Sequence, residues 1–176
     1  MHSLPEGTVI RRAVPDDFSS FAAICRRTFA DTFGYAHTDE ELARHLDVAF
    51  SDATLAPELA DPRRVVLAVM HDDTWLAYAV VKLGASTPSV VAQRPCEIDR
   101  FYVDRPWHGR GIAHTLMAEA LRVIRDAGGD AAWLGVWEHN PRAIKFYERV
   151  GFRVVGAHTY LFDGKPENDH IMSLAL

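Results

Sequence analysis

The sequence predicts one mixed α/β domain, in which about four helices are layered on a largely antiparallel central sheet of about seven strands. Two patterns predict this class: apolar residues repeat at helical spacing in several segments, and β-rich runs lie between those segments. The order is a strand, two helices, antiparallel strands and then a βαβαββ half. A chain of 176 residues suits one hydrophobic core, so residues 1–176 are predicted to form a single domain.

The N-terminal half is predicted to hold one strand, two helices and a hairpin. Residues 8–14 form the strand, and the apolar positions from Phe18 to Phe29 follow helical spacing. Thr38 and Glu41 resemble a capping box, which predicts that a second helix begins there and runs towards Phe50. Residues 65–70 and 75–83 are β-rich and are separated by turn residues, which predicts a hairpin.

The C-terminal half is predicted to alternate strands with helices before a final pair of strands. Glycines after the helical stripes and the Asn140-Pro141 pair before the second helix mark its boundaries. The predicted elements are a strand at 96–103, a helix from Gly109 to Gly129, a strand at 131–137, a helix from Asn140 to Gly151, and strands at 152–161 and 169–174.

Composition and charge exclude several classes of protein. With 48% hydrophobic and 24% charged residues, the chain has an ordinary globular composition. A formal charge of −5 argues against a nucleic-acid binder that neutralises phosphates. No window is apolar for long enough to span a bilayer, and Cys25 and Cys96 lack the spacing of a zinc site. We therefore expect a cytoplasmic protein without a membrane, nucleic-acid or metal partner.

The segment from Phe101 to Ala113 predicts a phosphate-binding turn. A strand leads into a basic turn that contains Gly109 and Gly111, and a helix begins directly afterwards. Glycines let the backbone approach a ligand, and the free N–H groups of a helix N-terminus attract anions. Arg105, His108 and Arg110 add positive charge. Two glycines in a turn more often serve backbone geometry than a ligand, so this turn alone is weak support.

Two motifs together resemble the GNAT superfamily of N-acetyltransferases. His108-Gly109-Arg110-Gly111-Ile112-Ala113 is similar to that family's Gln/Arg-x-x-Gly-x-Gly/Ala coenzyme A signature, with His108 in place of the usual Gln or Arg. Asn140-x-x-Ala143-x-x-Phe146-Tyr147-x-x-x-Gly151-Phe152 resembles the family's segment after the fifth strand. The resemblance covers nearly the whole chain, and it implies a GNAT fold whose fourth and fifth strands splay apart.

The resemblance also implies a cofactor site. Acetyl-coenzyme A would be the co-substrate, no metal would be needed, and the pantetheine arm would lie along the fourth strand like a short extra strand. The pyrophosphate would be held mainly by backbone N–H groups. The residues implied in cofactor binding are Phe101, Tyr102, Val103, His108, Gly109, Arg110, Gly111, Ile112, Ala113, Asn140, Ala143 and Phe146.

The implied catalytic residues are Tyr147, Glu97 and Asp99. In the family the amine attacks the thioester directly, and by its match to the motif Tyr147 would protonate the leaving thiolate. Periodicity alone favours a core tyrosine at this position. Glu97 lies on the fourth predicted strand and would take the proton from the ammonium, with Asp99 on the same face of a regular strand. The alternatives are a water chain as the base, or an exposed strand face whose carboxylates pair with Arg94 or Arg100.

Two further segments indicate the class of the acceptor. Residues 28–34 and 133–138 resemble a bacterial branch that includes polyamine (spermidine/spermine) acetyltransferases, which favours a small-molecule primary amine. Phe33, Tyr35 and Glu138 are the predicted substrate-binding residues, although aromatic residues in such segments more often pack a core. A protein N-terminus, an amino acid or a non-catalytic acyl-coenzyme A sensor are alternatives. Trp75 and Trp107 are predicted to be exposed aromatics that would suit a homodimer contact.

Overall fold

The computed structural model describes Leu4 and residues 6–176. The single-domain prediction for 1–176 includes residues 1–3 and 5, which lie outside the described residues. The chain divides into two compact units. The first contains the chain up to Val80 together with Arg100–Ala120, and the second contains Val81–Asp99 together with Leu121–Leu176. No helix of the described residues is long and apolar enough to cross a bilayer.

Seven strands form the sheet, in the hydrogen-bonded order β1-β2-β3-β4-β5-β7-β6. Within it, β4 and β5 run parallel, whereas β1 with β2, β5 with β7, and β6 with β7 run antiparallel. The predicted mixed, largely antiparallel sheet of seven strands is therefore confirmed. The strands are β1 (Thr8–Arg12), β2 (Arg64–His71), β3 (Thr74–Lys82), β4 (Pro95–Val103), β5 (Ala131–Trp137), β6 (Arg153–Phe162) and β7 (Lys165–Ala175).

Within Leu4 and residues 6–176, five α-helices accompany the strands, one more than predicted. They are α1 (Phe18–Phe33), α2 (Asp39–Ala49), α3 (Asp52–Ala60), α4 (Ile112–Asp126) and α5 (Pro141–Val150). The additional helix is α3, which begins at Ser51, whose hydroxyl accepts a hydrogen bond from the Thr54 N–H at 3.3 Å. Pro57 lies inside this helix. The sequence does not predict this helix, because a proline inside a segment usually indicates that no helix continues through it.

In the first unit, α1 buries one apolar face. Phe21 is fully buried, with its ring centroid 5.8 Å from that of Tyr78 and 6.1 Å from that of Trp75. The predicted exposure of Trp75 is therefore wrong: the residue is only 4% exposed. It occupies an inward position of β3 against α1, which removes it as a contact for a partner molecule.

A buried carboxylate ties three elements of the first unit together. Glu58 of α3 accepts from Arg64 of β2 at 3.1 Å and from Arg100 of β4 at 2.6 Å. The Arg100 guanidinium also lies 5.3 Å from the centroid of the Phe50 ring. Glu58 is only 5% exposed, so both ion pairs are shielded from water, and shielded pairs are strongly destabilised when one partner is removed.

In the second unit, three strands form an antiparallel layer. Register pairs join β5 to β7 over their full overlap, from Ala131 opposite Ala175 to Trp137 opposite Asp169. The hairpin between β6 and β7 turns at Asp163 and Gly164, which both have positive φ. Such a turn matches the twist of the flanking strands. The register shifts between Val154 and Gly156, where β6 is irregular.

The parallel pairing between β4 and β5 is short. Their register covers Pro95, Cys96 and Glu97 opposite Ala131, Ala132 and Trp133. Both strands continue beyond these pairs, β4 to Val103 and β5 to Trp137. The two strands are thus paired with each other only at their beginnings, which is the arrangement predicted for a splayed pair.

Candidate active site

The basic turn after β4 lies in the first unit and is fixed by a buried aspartate. Asp104 is 7% exposed, and its carboxylate accepts from the Arg105 N–H at 3.0 Å. The same carboxylate accepts two hydrogen bonds from the Arg27 guanidinium of α1, at 2.9 and 3.1 Å. The start of the turn is therefore anchored to α1 by a charge-assisted contact.

The two glycines of this turn adopt backbone conformations that favour glycine. Gly109 has φ of 76° and Gly111 has φ of 80°, in the left-handed region where a side chain is strained. A Cβ atom at Gly109 would meet nothing within 4 Å, so its backbone faces open space. The first helical bonds of α4 run from the N–H groups of His114 and Thr115 to the Gly111 carbonyl. By helix geometry the earlier N–H groups have no partner within the helix, and helix N-termini of this kind bind anions.

The side chains of the turn differ in where they are directed. The Nε2 atom of His108 lies 2.7 Å from the Val103 carbonyl oxygen, so the ring holds the turn against the end of β4. The Arg110 guanidinium lies over the Trp107 ring, 5.0 Å from its centroid. The His71 ring stacks near Trp107 as well, with centroids 6.5 Å apart. Trp107 is therefore packed between neighbours, and Arg110 is held beside the turn.

Tyr147 lies in the second unit on α5 and is 7% exposed. Its ring packs edge-on against Phe146 and Phe152, with centroids 5.5 and 5.9 Å apart. Burial raises the pKa of its phenol well above the ordinary value, because a phenolate is poorly solvated there. The hydroxyl thus keeps its proton over the working pH range, which is what a general acid needs.

Asn140 caps α5. Its side-chain oxygen accepts from the Ala143 N–H at 3.1 Å, and Pro141 occupies the first helical position. Gly151 ends the helix in the left-handed conformation. The cap uses one lone pair of the carboxamide oxygen of Asn140, which leaves the second lone pair and the amide nitrogen for any cofactor contact.

Glu97 and Asp99 share one cation. The Lys82 ammonium lies 3.2 Å from Glu97 Oε2 and 2.7 Å from Asp99 Oδ1. The two carboxylates therefore occupy the same face of β4, as their spacing predicts. Burial raises the pKa of Glu97, the charge of Asp99 raises it further, and Lys82 opposes both effects. Lys82 is a cationic partner of this pair, and Arg100 binds Glu58.

The three predicted substrate-binding residues have different surroundings. Phe33 ends α1 and packs on Phe29, with ring centroids 4.5 Å apart. Tyr35 follows in a short 3₁₀ turn and is 75% exposed. Glu138, in the second unit, accepts from the Asn168 amide at 3.0 Å. Phe33 thus has the packing role typical of such aromatic residues, whereas Tyr35 is largely exposed.

Three residues that the sequence reasoning missed lie next to one another in the second unit. His158 of β6 and Asp169 of β7 are opposite each other in the register, with Nε2 and Oδ2 3.7 Å apart. Gly135 of β5 leaves the space that the imidazole fills. A lone glycine inside a predicted strand was the available signal, because it often marks a close approach.

No group of three or more His, Cys, Asp or Glu residues in Leu4 and 6–176 has the arrangement of a metal site. The first unit carries a glycine-bearing turn at a helix N-terminus, and the second unit carries a buried protonated tyrosine and a charged strand face. Groups of these kinds are the ones that acyl-transfer proteins use.

The comparisons with known proteins agree with this class. Residues 23–152 match the acetyltransferase (GNAT) family. An uncharacterized N-acetyltransferase of Mycobacterium tuberculosis is 34% identical over 156 residues, which span 89% of this chain and 96% of that protein. The streptothricin acetyltransferase of Streptomyces lavendulae is 34% identical over 120 residues, or 68% of this chain and 60% of that protein.

The fold also resembles that of solved N-acetyltransferase structures. The PaiA N-acetyltransferase of Thermoplasma acidophilum, solved in complex with coenzyme A, superposes with a TM-score of 0.77 over 96% of this chain and 99% of that one, at 20% identity. The chain therefore belongs to the acetyltransferase (GNAT) family, and it is an N-acetyltransferase.

Proposed function

We propose that this protein transfers the acetyl group of acetyl-coenzyme A directly to the primary amine of a small cationic molecule. The observation that carries the proposal is the charged face of the second unit, where Glu97 and Asp99 flank one ammonium group. Counting Lys82, that cluster keeps a net charge of −1. A residual negative charge at a half-buried face favours a cationic acceptor over an anionic one.

Coenzyme A binding is proposed at the turn after β4. The N–H groups at the start of α4 would hold the pyrophosphate, as would the backbone of Gly109 and Gly111. Arg110 would move from the Trp107 ring to a phosphate oxygen and form a charge-assisted hydrogen bond. Phe101, Tyr102 and Val103 are proposed to present the strand edge to the pantetheine arm, with His108 steadying the Val103 carbonyl. Ile112 and Ala113 would line the helix start.

Tyr147 is proposed as the general acid. As the C–S bond of the thioester breaks, the phenol would give its proton to the departing sulfur. Its raised pKa supports this role, because the group stays protonated at neutral pH. Asn140, Ala143 and Phe146 on the same helix are proposed to contact the cofactor nearby.

The ammonium group of the acceptor would bind at the charged face that carries Glu97, Asp99 and Lys82. An alkyl ammonium has an ordinary pKa of about 10.4, so a base must remove a proton before the nitrogen can attack. Glu97 and Asp99 are the bases that the sequence offers. Glu138, Phe33 and Tyr35 are proposed to contact the rest of the acceptor.

A polyamine is the first acceptor to test. The resemblance of two segments to polyamine acetyltransferases favours spermidine or spermine. The name of the Streptomyces relative points to streptothricin, also a small molecule. We expect a monoamine to be a poorer substrate than a diamine of equal length, because Asp169 and Glu138 add negative charge to this unit.

The proposal is tested by an amine panel at saturating acetyl-coenzyme A, with released thiol recorded and the product identified by mass. The panel would contain spermidine, spermine, a matched monoamine, amino acids and a peptide with a free N-terminus. Turnover with a small amine supports the proposal. Turnover of the peptide alone would contradict the small-molecule acceptor, and binding of acetyl-coenzyme A without turnover of any amine would contradict catalysis on this class.

A further inference from the structure

A histidine and an aspartate are held together across two strands of the second unit. His158 of β6 lies opposite Asp169 of β7, and its Nε2 atom is 3.7 Å from Asp169 Oδ2. The Asp169 side chain is 15% exposed, whereas the His158 side chain is 39% exposed. The imidazole is therefore accessible to a substrate, while its carboxylate partner is largely covered.

Gly135 of β5 makes room for this imidazole. A Cβ atom at position 135 would lie 2.9 Å from His158 Cε1, 3.4 Å from His158 Nε2 and 3.5 Å from Asp169 Oδ2. Real Cβ atoms do not approach other heavy atoms as closely as the first of these distances. A side chain at position 135 would therefore displace the imidazole. The observed position of His158 thus requires glycine at 135.

The register puts this pair on the same sheet face as Glu97. Glu97 is opposite Trp133, and positions 133, 135 and 137 of β5 share one face because side chains alternate along a strand. Asp169 is opposite Trp137, and His158 is opposite Asp169. His158 also acts electrostatically on Glu97. One face of the second unit thus carries both the carboxylates and the imidazole.

The carboxylates on this face are already occupied. Lys82 lies within ion-pair distance of both Glu97 and Asp99. Lys82 favours the charged form of both carboxylates, although burial and Asp99 together raise the pKa of Glu97. The imidazole of His158 lies beside a carboxylate and no cation of the described residues is paired with it, so an imidazolium formed there would face the negative charge of Asp169 at 3.7 Å.

We propose that His158, oriented by Asp169 and accommodated by Gly135, is the catalytic base that takes the proton from the acceptor ammonium. This inference rests on the proposed function and deepens it, because it assigns the first proton transfer to a residue other than Glu97 or Asp99. Neutral histidine with its Nε2–H directed towards Asp169 leaves the Nδ1 lone pair free to accept that proton.

The protons and bonds balance as follows. The ammonium gives one proton to His158, which passes it to solvent, and the resulting amine nitrogen forms a bond to the acetyl carbon. The carbon–sulfur bond breaks, and the sulfur takes the Tyr147 proton. The second proton that the nitrogen loses returns to Tyr147. The products are an acetamide and free coenzyme A.

Several charged groups surround the pair. The charge of His158 acts on Glu97 of β4. Burial raises the pKa of Asp169, His158 and His170 oppose this effect, and Glu167 and Glu138 add to it. A pH profile of the wild type therefore reports the whole cluster, and the contribution of His158 must be read from a difference between variants.

The test compares His158→Gln with His170→Gln in the full-length protein. His170 is a matched control, since it follows Asp169 on the same strand and lies on the opposite face, opposite Ala157 and Val136. We expect His158→Gln to lower kcat/KM for the amine about 100-fold or more and to flatten the acidic limb of its pH profile. The KM for acetyl-coenzyme A and the thermal midpoint should change little, and His170→Gln should stay within about twofold of wild type.

Chemical rescue separates catalysis from structure. In His158→Ala, the space above Gly135 is empty, and added imidazole should restore the rate in proportion to its concentration. The wild type should not respond. Asp169→Asn should lower kcat/KM about tenfold, because it leaves the imidazole in place and removes its partner.

The outcomes are distinct. If His158→Gln turns over the amine at the wild-type rate with an unchanged pH profile, this inference is overturned and the proposed function remains intact. The same holds if added imidazole does not rescue His158→Ala. Loss of the acidic limb in Glu97→Gln with its retention in His158→Gln would return the role to Glu97. Absence of wild-type turnover with every amine of the panel would overturn both.

Discussion

Replacing Tyr147 with phenylalanine removes one hydroxyl and leaves the rest of the site in place. The ring contacts with Phe146 and Phe152, at centroid distances of 5.5 and 5.9 Å, do not involve the hydroxyl. Phenylalanine should preserve them, so we expect the thermal midpoint to change by no more than about 2 °C, which corresponds to less than about 1 kcal/mol for a chain of this size.

The expected catalytic loss is much larger. General acid catalysis contributes roughly 10²- to 10⁴-fold to a rate, or about 3 to 5 kcal/mol in the barrier. Tyr147 is only 7% exposed, so little bulk water surrounds the residue to replace its phenol as the donor. We therefore predict that Tyr147→Phe lowers kcat at least about 100-fold and leaves the Kd for acetyl-coenzyme A within about twofold of wild type.

The assay is steady-state thiol release at saturating acetyl-coenzyme A, with Kd measured separately by calorimetry. Tyr78→Phe is the matched control. Tyr78 is also fully buried, and the neighbour that its hydroxyl meets is the Cys25 thiol, a weak hydrogen-bonding group, so its removal should leave kcat unchanged. An unchanged kcat in Tyr147→Phe would refute the acid assignment, and an equal loss in both variants would attribute the effect to packing.

Three other perturbations test the remaining parts of the structure. Arg110→Met should raise the Kd of coenzyme A about tenfold, by loss of a charge-assisted hydrogen bond, whereas the exposed Arg63→Met should not; equal affinities in calorimetry would remove Arg110 from the site. Glu58→Gln should lower the thermal midpoint by at least about 6 °C, because Arg64 and Arg100 lose a buried partner; a change below about 2 °C in calorimetric melting would contradict this. Hydrogen bonds from the N–H groups of Arg94 and Gln93 lower the pKa of Asp130, so its contribution to stability is present above the ordinary aspartate pKa and is lost as pH falls through the lowered one. Urea unfolding of Asp130→Asn should therefore show a deficit at pH 7 that shrinks towards about pH 3, and a deficit independent of pH would exclude the carboxylate as its cause.

Local signals in the sequence predict local structure well in this protein. Thr38 accepts from the Glu41 N–H, and Glu41 accepts in return from the Thr38 N–H, so the predicted capping box is present. Asn140 caps α5 as expected. Glu97 and Asp99 share a face because strand periodicity is fixed by backbone geometry. Each of these features depends on residues within a few positions of one another.

Contacts between distant segments could not be predicted in the same way. Lys82 reaches Glu97 and Asp99 across neighbouring strands, and the sequence offered Arg94 and Arg100 as equally good partners. His158, Asp169 and Gly135 meet only because β6, β7 and β5 adopt one particular register. Trp75 comes directly after a polar turn, a position that suggests exposure. It is nevertheless covered by α1, which ends more than 40 positions earlier in the chain.

The most direct test of the central claim is calorimetric titration of acetyl-coenzyme A into the purified protein, followed in the same cell by spermidine with thiol release recorded. The account predicts saturable one-site binding of the cofactor, no thiol release before the amine is added, and stoichiometric release with acetylated product afterwards. A protein that shows no heat of binding and releases no thiol would contradict the account.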